Sequence, residues 1–312
     1  MKRFLILLLT GSLCMALPAQ ETIDILSLSG RYGLPKEYED AAYTGKASEW
    51  GSVNSLTAGV KLGSRSMLAI NVSYFYFNQQ NAPDPEFPDD IAIADPVKIN
   101  GFILRTGLIQ DFGEGRSLQL LVAPRLMSDF KNMDGRSFQM GAIVSYKKKF
   151  RDEFTIGGGL IYNTELFGPY FVPILDINWQ FASKWKLKGM IPVTARIEYT
   201  VNENLKLGFN HFGLITTYAL GKEAYSGDYI ERQSIDLSLF ARQRLVGNIF
   251  VEGMVGRTMG RQYRQYEGDQ KVDFAIPLVT FGDERVIKNE YADFKDGMIL
   301  TLKLIYSMPI PE

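Results

Sequence analysis

His211 is the only histidine among the 312 residues, so any serine or threonine nucleophile activated by an imidazole base would have to be built around it. Its surroundings read Phe209-Asn-His-Phe-Gly-Leu-Ile-Thr-Thr217, with no serine two residues on, and the pattern of an outer-membrane lipid hydrolase is not matched. The apolar parity moves here from Leu205, Leu207 and Phe209 to Phe212, Leu214 and Tyr218; a β-bulge at Asn210-His211 would explain it and would turn His211 inward. Gly157-Gly-Gly159 lacks the Gly-Lys-Ser/Thr ending of a phosphate loop and lies inside a strand pattern, which argues for close packing or curvature. The run Asn81-Ala-Pro-Asp-Pro-Glu-Phe-Pro-Asp-Asp90 offers Asp84, Glu86, Asp89 and Asp90 to a calcium ion, but without the spacing of a calcium loop it reads as a solvated acidic loop. Arg257, Arg261 and Arg264 recur beside Tyr263 and Tyr266, where a polar rim or a contact with anionic lipopolysaccharide is expected. Lys147-Lys-Lys149 beside a short turn fits a lipid-headgroup contact. Cys14 is the single cysteine, so the rest of the chain carries neither a disulfide nor a thiolate site. These residues assign no catalytic, cofactor or metal position.

The elements that would position such residues begin after a leader. Lys2 and Arg3, the apolar run Phe4 to Leu9 and the small-residue exit Ala16-Leu-Pro-Ala-Gln20 have the layout of a cleavable secretory signal, which places 1–20 apart from a domain at 21–312. Leu13 before Cys14 argues against lipidation. The chain is 46% hydrophobic and 12% aromatic, with a mean hydropathy of -0.07, and no later segment has the length and continuity of a spanning helix. Lys and Arg number 34 against 35 Asp and Glu; the net charge of -1 gives no field for nucleic acid.

The dominant signal is a two-residue rhythm. Leu56, Ala58, Val60 and Leu62 alternate with small or polar residues, and after Ser64-Arg-Ser66 the rhythm resumes at Leu68, Ile70, Val72, Tyr74 and Tyr76. It recurs along the chain to Met298, Leu300, Leu302, Leu304, Tyr306 and Met308. Short connections at 64–66, 113–116, 151–153, 182–184, 202–204 and 246–248 alternate with mostly longer ones at 34–51, 78–96, 131–136, 167–170, 221–229 and 265–295. This predicts an all-β, antiparallel, up-and-down transmembrane β-barrel with short periplasmic turns and longer extracellular loops. The count is about 14 strands if 185–201 splits near Pro192-Val193-Thr194, and 12 otherwise. Strands of about ten residues with one apolar face suit a tilted crossing of a hydrocarbon layer, and lipid forbids an open sheet edge. The opposite face carries charge, and Arg105, Arg125, Asp176, Arg242 and Arg244 are expected to line the lumen.

The stretch from Pro173 to Gly208 contains Pro-Ile-Leu-Asp-Ile-Asn-Trp, then Trp-Lys-Leu-Lys-Gly-Met-Ile-Pro-Val, then Ile-Glu-Tyr and Leu-Lys-Leu-Gly-Phe. It resembles a family of Gram-negative outer-membrane barrels classed only as a domain of unknown function. The resemblance implies fold and cell outer-membrane location and lends no catalytic residue. Three function classes follow: a channel or porin-like passage for small solutes, a non-conducting structural barrel sealed by inward ion pairs, and, less favoured, a lipid-modifying enzyme. A transporter of hydrophobic substrates would want a plug before the first strand, and the pattern Ile23, Ile25, Ser27, Ser29 leaves little room for one. Outer-membrane lipids and lipopolysaccharide are the expected partners. Oligomeric state is not encoded in these patterns.

Overall fold

The computed structural model describes residues 22–39, 44–84, 97–288 and 293–309; the leader and residues 85–90 of the acidic run, with Glu86, Asp89 and Asp90, lie outside them. Eighteen extended segments form one continuous sheet. They are β1 (Thr22–Glu37), β2 (Gly45–Lys61), β3 (Ser66–Pro83), β4 (Val97–Gly113), β5 (Arg116–Val122), β6 (Arg125–Ser128), β7 (Phe138–Gln139), β8 (Gly141–Arg151) and β9 (Phe154–Glu165). The second half holds β10 (Gly168–Ala182), β11 (Trp185–Ile191), β12 (Thr194–Thr200), β13 (Leu205–Ala219), β14 (Tyr229–Val246), β15 (Ile249–Tyr266), β16 (Phe274–Ile276), β17 (Val279–Phe281) and β18 (Met298–Pro309).

Sixteen of these make a wall of fourteen strands. β5 and β6 are one wall strand, interrupted at Ala123-Pro124 because proline has no N–H for the ladder. β7 and β8 are another, and β16 with β17 is a hairpin inside the longest connection. Neighbours are antiparallel throughout the wall, and β18 pairs with both β15 and β1, which closes the ring. The predicted split falls as expected, with β11 ending at Ile191 and β12 starting at Thr194. Two predicted loops are shorter than expected: β1 and β2 extend into 34–51, and a two-residue turn, Leu166-Phe167, replaces a longer link.

One face of each strand is apolar and points away from the lumen. Leu56, Val60, Leu120, Leu239, Leu300, Leu302 and Leu304 are among its exposed members. At the short-turn end an arc of aromatic rings runs Phe150, Phe154, Trp179, Phe181, Trp185, Tyr199, each 4.9–6.2 Å from the next. Toward the long-loop end Tyr32 meets Trp50 at 4.5 Å and Tyr162 meets Phe171 at 5.1 Å. An apolar band between two aromatic girdles matches a bilayer core with its interfaces. Gly157 and Gly159 face inward where β8 passes close: a Cβ would lie 2.3 Å from Tyr146 O and 2.1 Å from Val144 O respectively, so close packing, not anion binding, explains them.

A charge placed on the band would face hydrocarbon. Leu302, 62% exposed at mid-strand, is therefore predicted to tolerate arginine badly: Leu302→Arg should cost about 2–4 kcal/mol in reversible denaturant unfolding from phospholipid vesicles. A change within about 0.5 kcal/mol, normal for a water-facing surface site, would contradict a lipid-facing band.

Candidate functional site

The inward face holds ion pairs, several of which cross the lumen in chords because the partners stand on strands two to four places apart around the wall. At the short-turn end, Arg242 on β14 donates to Asp24 on β1 at 2.8 and 3.1 Å and to Ser307 on β18 at 2.5 Å. Arg196 on β12 pairs with Glu252 on β15 and lies 3.2 Å from Glu198, which Lys188 approaches to 3.1 Å. Arg196 also covers the ring of Phe240 at 3.8 Å.

Farther up, Glu49 on β2 is the centre of a second group. Its carboxylate accepts from Arg232 on β14 at 2.9 and 3.2 Å, accepts from the Tyr263 hydroxyl, and pairs with Arg31 at 3.2 Å. Arg31 also reaches Asp236 at 2.9 Å, which accepts from Thr258 at 2.8 Å. Arg232 lies over Phe77 at 3.6 Å; both it and Glu49 have no exposed surface. Arg31 and Arg232 are matched by Glu49 and Asp236, the pairing that lets charge withdrawn from water persist, and the buried Arg261 is a further cation near Glu49.

The third chord closes the long-loop side. Arg125 on β6 donates to Glu165 on β9 at 3.0 Å and to Gln139 at 2.9 Å. Glu165 also accepts from the Thr217 backbone N–H at 2.8 Å and its hydroxyl at 2.7 Å. The end of β13 then pairs with β6, Ala219 opposite Ser128, and Ala219 O accepts from Asp129 N at 3.1 Å. β6 and β13 stand nearly opposite in a wall of fourteen, so this contact bridges the lumen.

β13 is free to turn inward because its neighbour stops. β12 begins at Thr194 opposite Phe212, and β11 ends at Ile191 opposite Leu175; above those levels 168–174 of β10 and 213–219 of β13 have no wall neighbour in β11 or β12. The hairpin of β16 and β17 descends into this gap, parallel to β10 with Ala275 opposite Tyr170 and Val272 N donating to Phe167 O at 2.8 Å. Its tip, Pro277-Leu278, faces the tip of the lower hairpin, Pro192-Val193, across the mouth of a cavity of ≈ 200 Å³. Leu278 is 80% exposed and its φ is 69°, a left-handed conformation uncommon for leucine. Phe75, Ile103, Met127, Ile143, Ile161 and Val172 form the inner walls of the cavity. Arg285 anchors the hairpin base, donating to Glu231 at 2.7 Å and to Tyr229 Oη at 3.2 Å.

Of the five residues expected to line the lumen, Arg125 and Arg242 sit in the chords above. Asp176 pairs with Lys147 at 2.7 Å. Arg105 lines the cavity and donates through Nη1 to Asn71 and Ser73, both at 2.9 Å. Arg244 lies at the short-turn end, exposed, 5.3 Å over Phe250.

His211 requires a correction. β13 keeps unbroken register with both β12 and β14 through Asn210-His211, so there is no bulge there. Opposite Ala195 and Leu237, His211 shares the outward face and stands at the cavity mouth; the inward face of β13 is apolar at Phe212 and Leu214 because these pack on the lumen's own hydrophobic cluster. No hydrogen bond to its ring occurs among the described residues, and no serine is placed on it. The arginine trio is corrected likewise. A register shift in β14–β15 around Gln233 and Met259 turns Arg261 into the lumen, over Phe294 at 3.6 Å, while Arg264 meets Asp293 at 3.5 Å. Among the described residues no His, Cys, Asp and Glu cluster fits a metal ion.

Sequence reasoning missed the Glu49 group, since Glu49 fell in a supposed loop, and missed the β16–β17 hairpin. The latter had a faint signal, the apolar Phe274-Ala-Ile276 and Val279-Thr-Phe281 around Pro277.

Residues 61–275 match the family described as a domain of unknown function, DUF6268. The chain belongs to that family. No curated protein matches this DUF6268 chain. Among solved structures it is similar to an outer membrane channel from Pseudomonas putida F1, at 10% identity over 94% of this chain and 97% of that one, with a TM-score of 0.45. Others are the TodX monoaromatic hydrocarbon channel, at 8% identity over 91% and 89% with a TM-score of 0.39, and the NanC porin, at 7% over 90% and 98% with a TM-score of 0.38. Similarity of this degree assigns no function.

The chords hold charge out of water, so breaking one exposes its cost. Glu49→Ala leaves Arg232 without a carboxylate and Arg31 with Asp236 alone, and is predicted to destabilise by about 3–5 kcal/mol in vesicle unfolding experiments. Lys149→Ala, which removes an exposed pair with Asp152, should change stability by less than about 1 kcal/mol; equal effects would mean the lumen is wet at Glu49.

Proposed function

We propose that this protein is a channel-like barrel of the cell outer membrane, with its short turns in the periplasm, residues 1–20 removed as a leader, and a passage for small solutes held closed by the crossing ion pairs. The observation that carries the reading is a charged interior behind an apolar belt: a barrel that only had to fold could fill itself with apolar side chains. Arg105, Arg125, Asp176, Arg242 and Arg244 are proposed as part of the lining such solutes meet. Lipid tails cover the belt. Lipopolysaccharide is proposed at the long-loop rim, where Arg257 faces outward and is exposed. The reading assigns no catalysis and no cofactor.

A second reading, a non-conducting structural barrel, is favoured by the complete burial of Glu49 and Arg232. Planar-bilayer recordings separate the two. The channel reading predicts discrete, infrequent openings for the native chain and at least tenfold greater open probability in the Glu49→Gln/Arg232→Gln double variant, which loosens the chord without leaving a lone charge. Silence from both proteins, each folded by heat-modifiable gel mobility, favours the structural barrel.

A further inference from the structure

The cavity behind the two hairpin tips differs from the rest of the lumen. Its walls are mostly apolar, yet Arg105 points into it without a carboxylate partner among the described ion pairs. Both of its described hydrogen bonds use Nη1, so Nε and Nη2 have none among the described residues. A guanidinium in a mostly apolar enclosure is costly unless an anion meets it, and its planar fork suits a carboxylate held by two parallel bonds. Arg125, the nearby cation, is already taken up by Glu165 and Gln139.

Both hairpin tips and the outward-facing His211 are among the residues that line the cavity, which puts its lining at the gap in the wall. On β10 the lower girdle residue Trp179 is four residues below Leu175, which marks the lower tip, and the upper girdle residue Phe171 is four residues above it. The gap therefore sits midway along the apolar band. Its rim is Pro192, Val193, Leu278, Ile235 and the imidazole of His211. Prolines at both tips remove backbone N–H groups that would otherwise face hydrocarbon unpaired. The third chord roofs the cavity on the long-loop side, so no plug before β1 is needed to close it.

We propose that this cavity binds a small amphiphile, an apolar tail with a single carboxylate head, that passes from the hydrocarbon layer between the Pro192-Val193 and Pro277-Leu278 tips and seats its head on Arg105. The inference rests on the barrel lying in a bilayer, as in the reading above, and not on conduction.

The test uses the full barrel in nonionic detergent, with decanoate, decanol and decyltrimethylammonium as probes, followed by calorimetry and by the carbonyl NMR signal of carboxyl-labelled decanoate. Decanoate is expected to bind at least tenfold tighter than decanol, with decyltrimethylammonium weakest. Arg105→Gln should erase that advantage and leave decanol unchanged, whereas Ile103→Trp, which fills the cavity, should weaken decanoate and decanol alike by tenfold or more. If Arg105→Gln fails the gel-mobility test of folding, Arg105→Lys replaces it, with a severalfold loss for decanoate alone. Equal affinity for decanoate and decanol in the native chain, or decanoate affinity indifferent to Arg105, overturns the proposal.

The route is read separately, from Ile103→Cys in a Cys14→Ser background reconstituted in vesicles. A lipid-confined maleimide is expected to react faster than a water-soluble one, and the reverse order overturns sideways access. Decanoate binding in a barrel that never conducts would retire the channel reading and leave this one standing; conduction without decanoate binding would do the opposite.

Discussion

A peptide N–H or C=O facing hydrocarbon has no water to bond, and that constraint governs this fold. It forces the sheet to close, so that β18 must find β1, and it makes every interruption of the ladder an event with consequences. Most interruptions are small, as at Pro124. The large one is above the short hairpin of β11 and β12, where two wall strands end halfway up and leave the edges of β10 and β13 without neighbours. The structure resolves it twice over: the loop hairpin adds to β10, and the end of β13, still paired with β14, bends inward to meet β6 across the lumen. Thus the roof of the lumen and the gap in its wall have one cause.

Closure also decides what fills the interior. A ring of fourteen strands encloses a wide interior, and here, beside two apolar clusters, the longest side chains reach across as arginine–carboxylate chords. Arginine suits the task, since a planar guanidinium bonds a carboxylate with one edge and covers an aromatic ring with its face, as Arg232 does with Glu49 and Phe77. Most of the charges in the upper groups are matched, which lessens the interior's need for water. Arg261 and Arg105 have no carboxylate within ion-pair distance among the described residues; Arg261 is covered by Phe294 and the Lys295 carbonyl, and Arg105, beside the cavity, is the one on which the ligand proposal turns.

Much of the architecture was legible in the sequence. The rhythm from Leu56 to Met308 marks outward residues directly, since lipid contact demands apolarity at every second position whatever the neighbour, and Pro192 marks the split of the 185–201 segment because proline has no N–H to continue the ladder. The errors fell where the rhythm is ambiguous. At Phe212 and Leu214 both faces of β13 are apolar, one toward lipid and one toward the lumen cluster, and the doubling looked like a bulge at His211. The real register shift, around Gln233 and Met259, lies among residues whose alternation had already lapsed. Glu49 falls inside the expected connection 34–51, and no local pattern shows its partners on β1 and β14.

The sequence by itself determined the outward face of the regularly alternating strands, where the short turns fall, and that a sheet of about fourteen strands must close, because each of these follows from local alternation against a fixed lipid environment. Only the tertiary structure decided which charge meets which, that two hairpins confront each other across a hole in the wall, and that Arg105 is left beside an apolar cavity. Those depend on the stagger accumulated around the whole ring, which sets strands far apart in the chain at matching heights, and no local pattern carries that information.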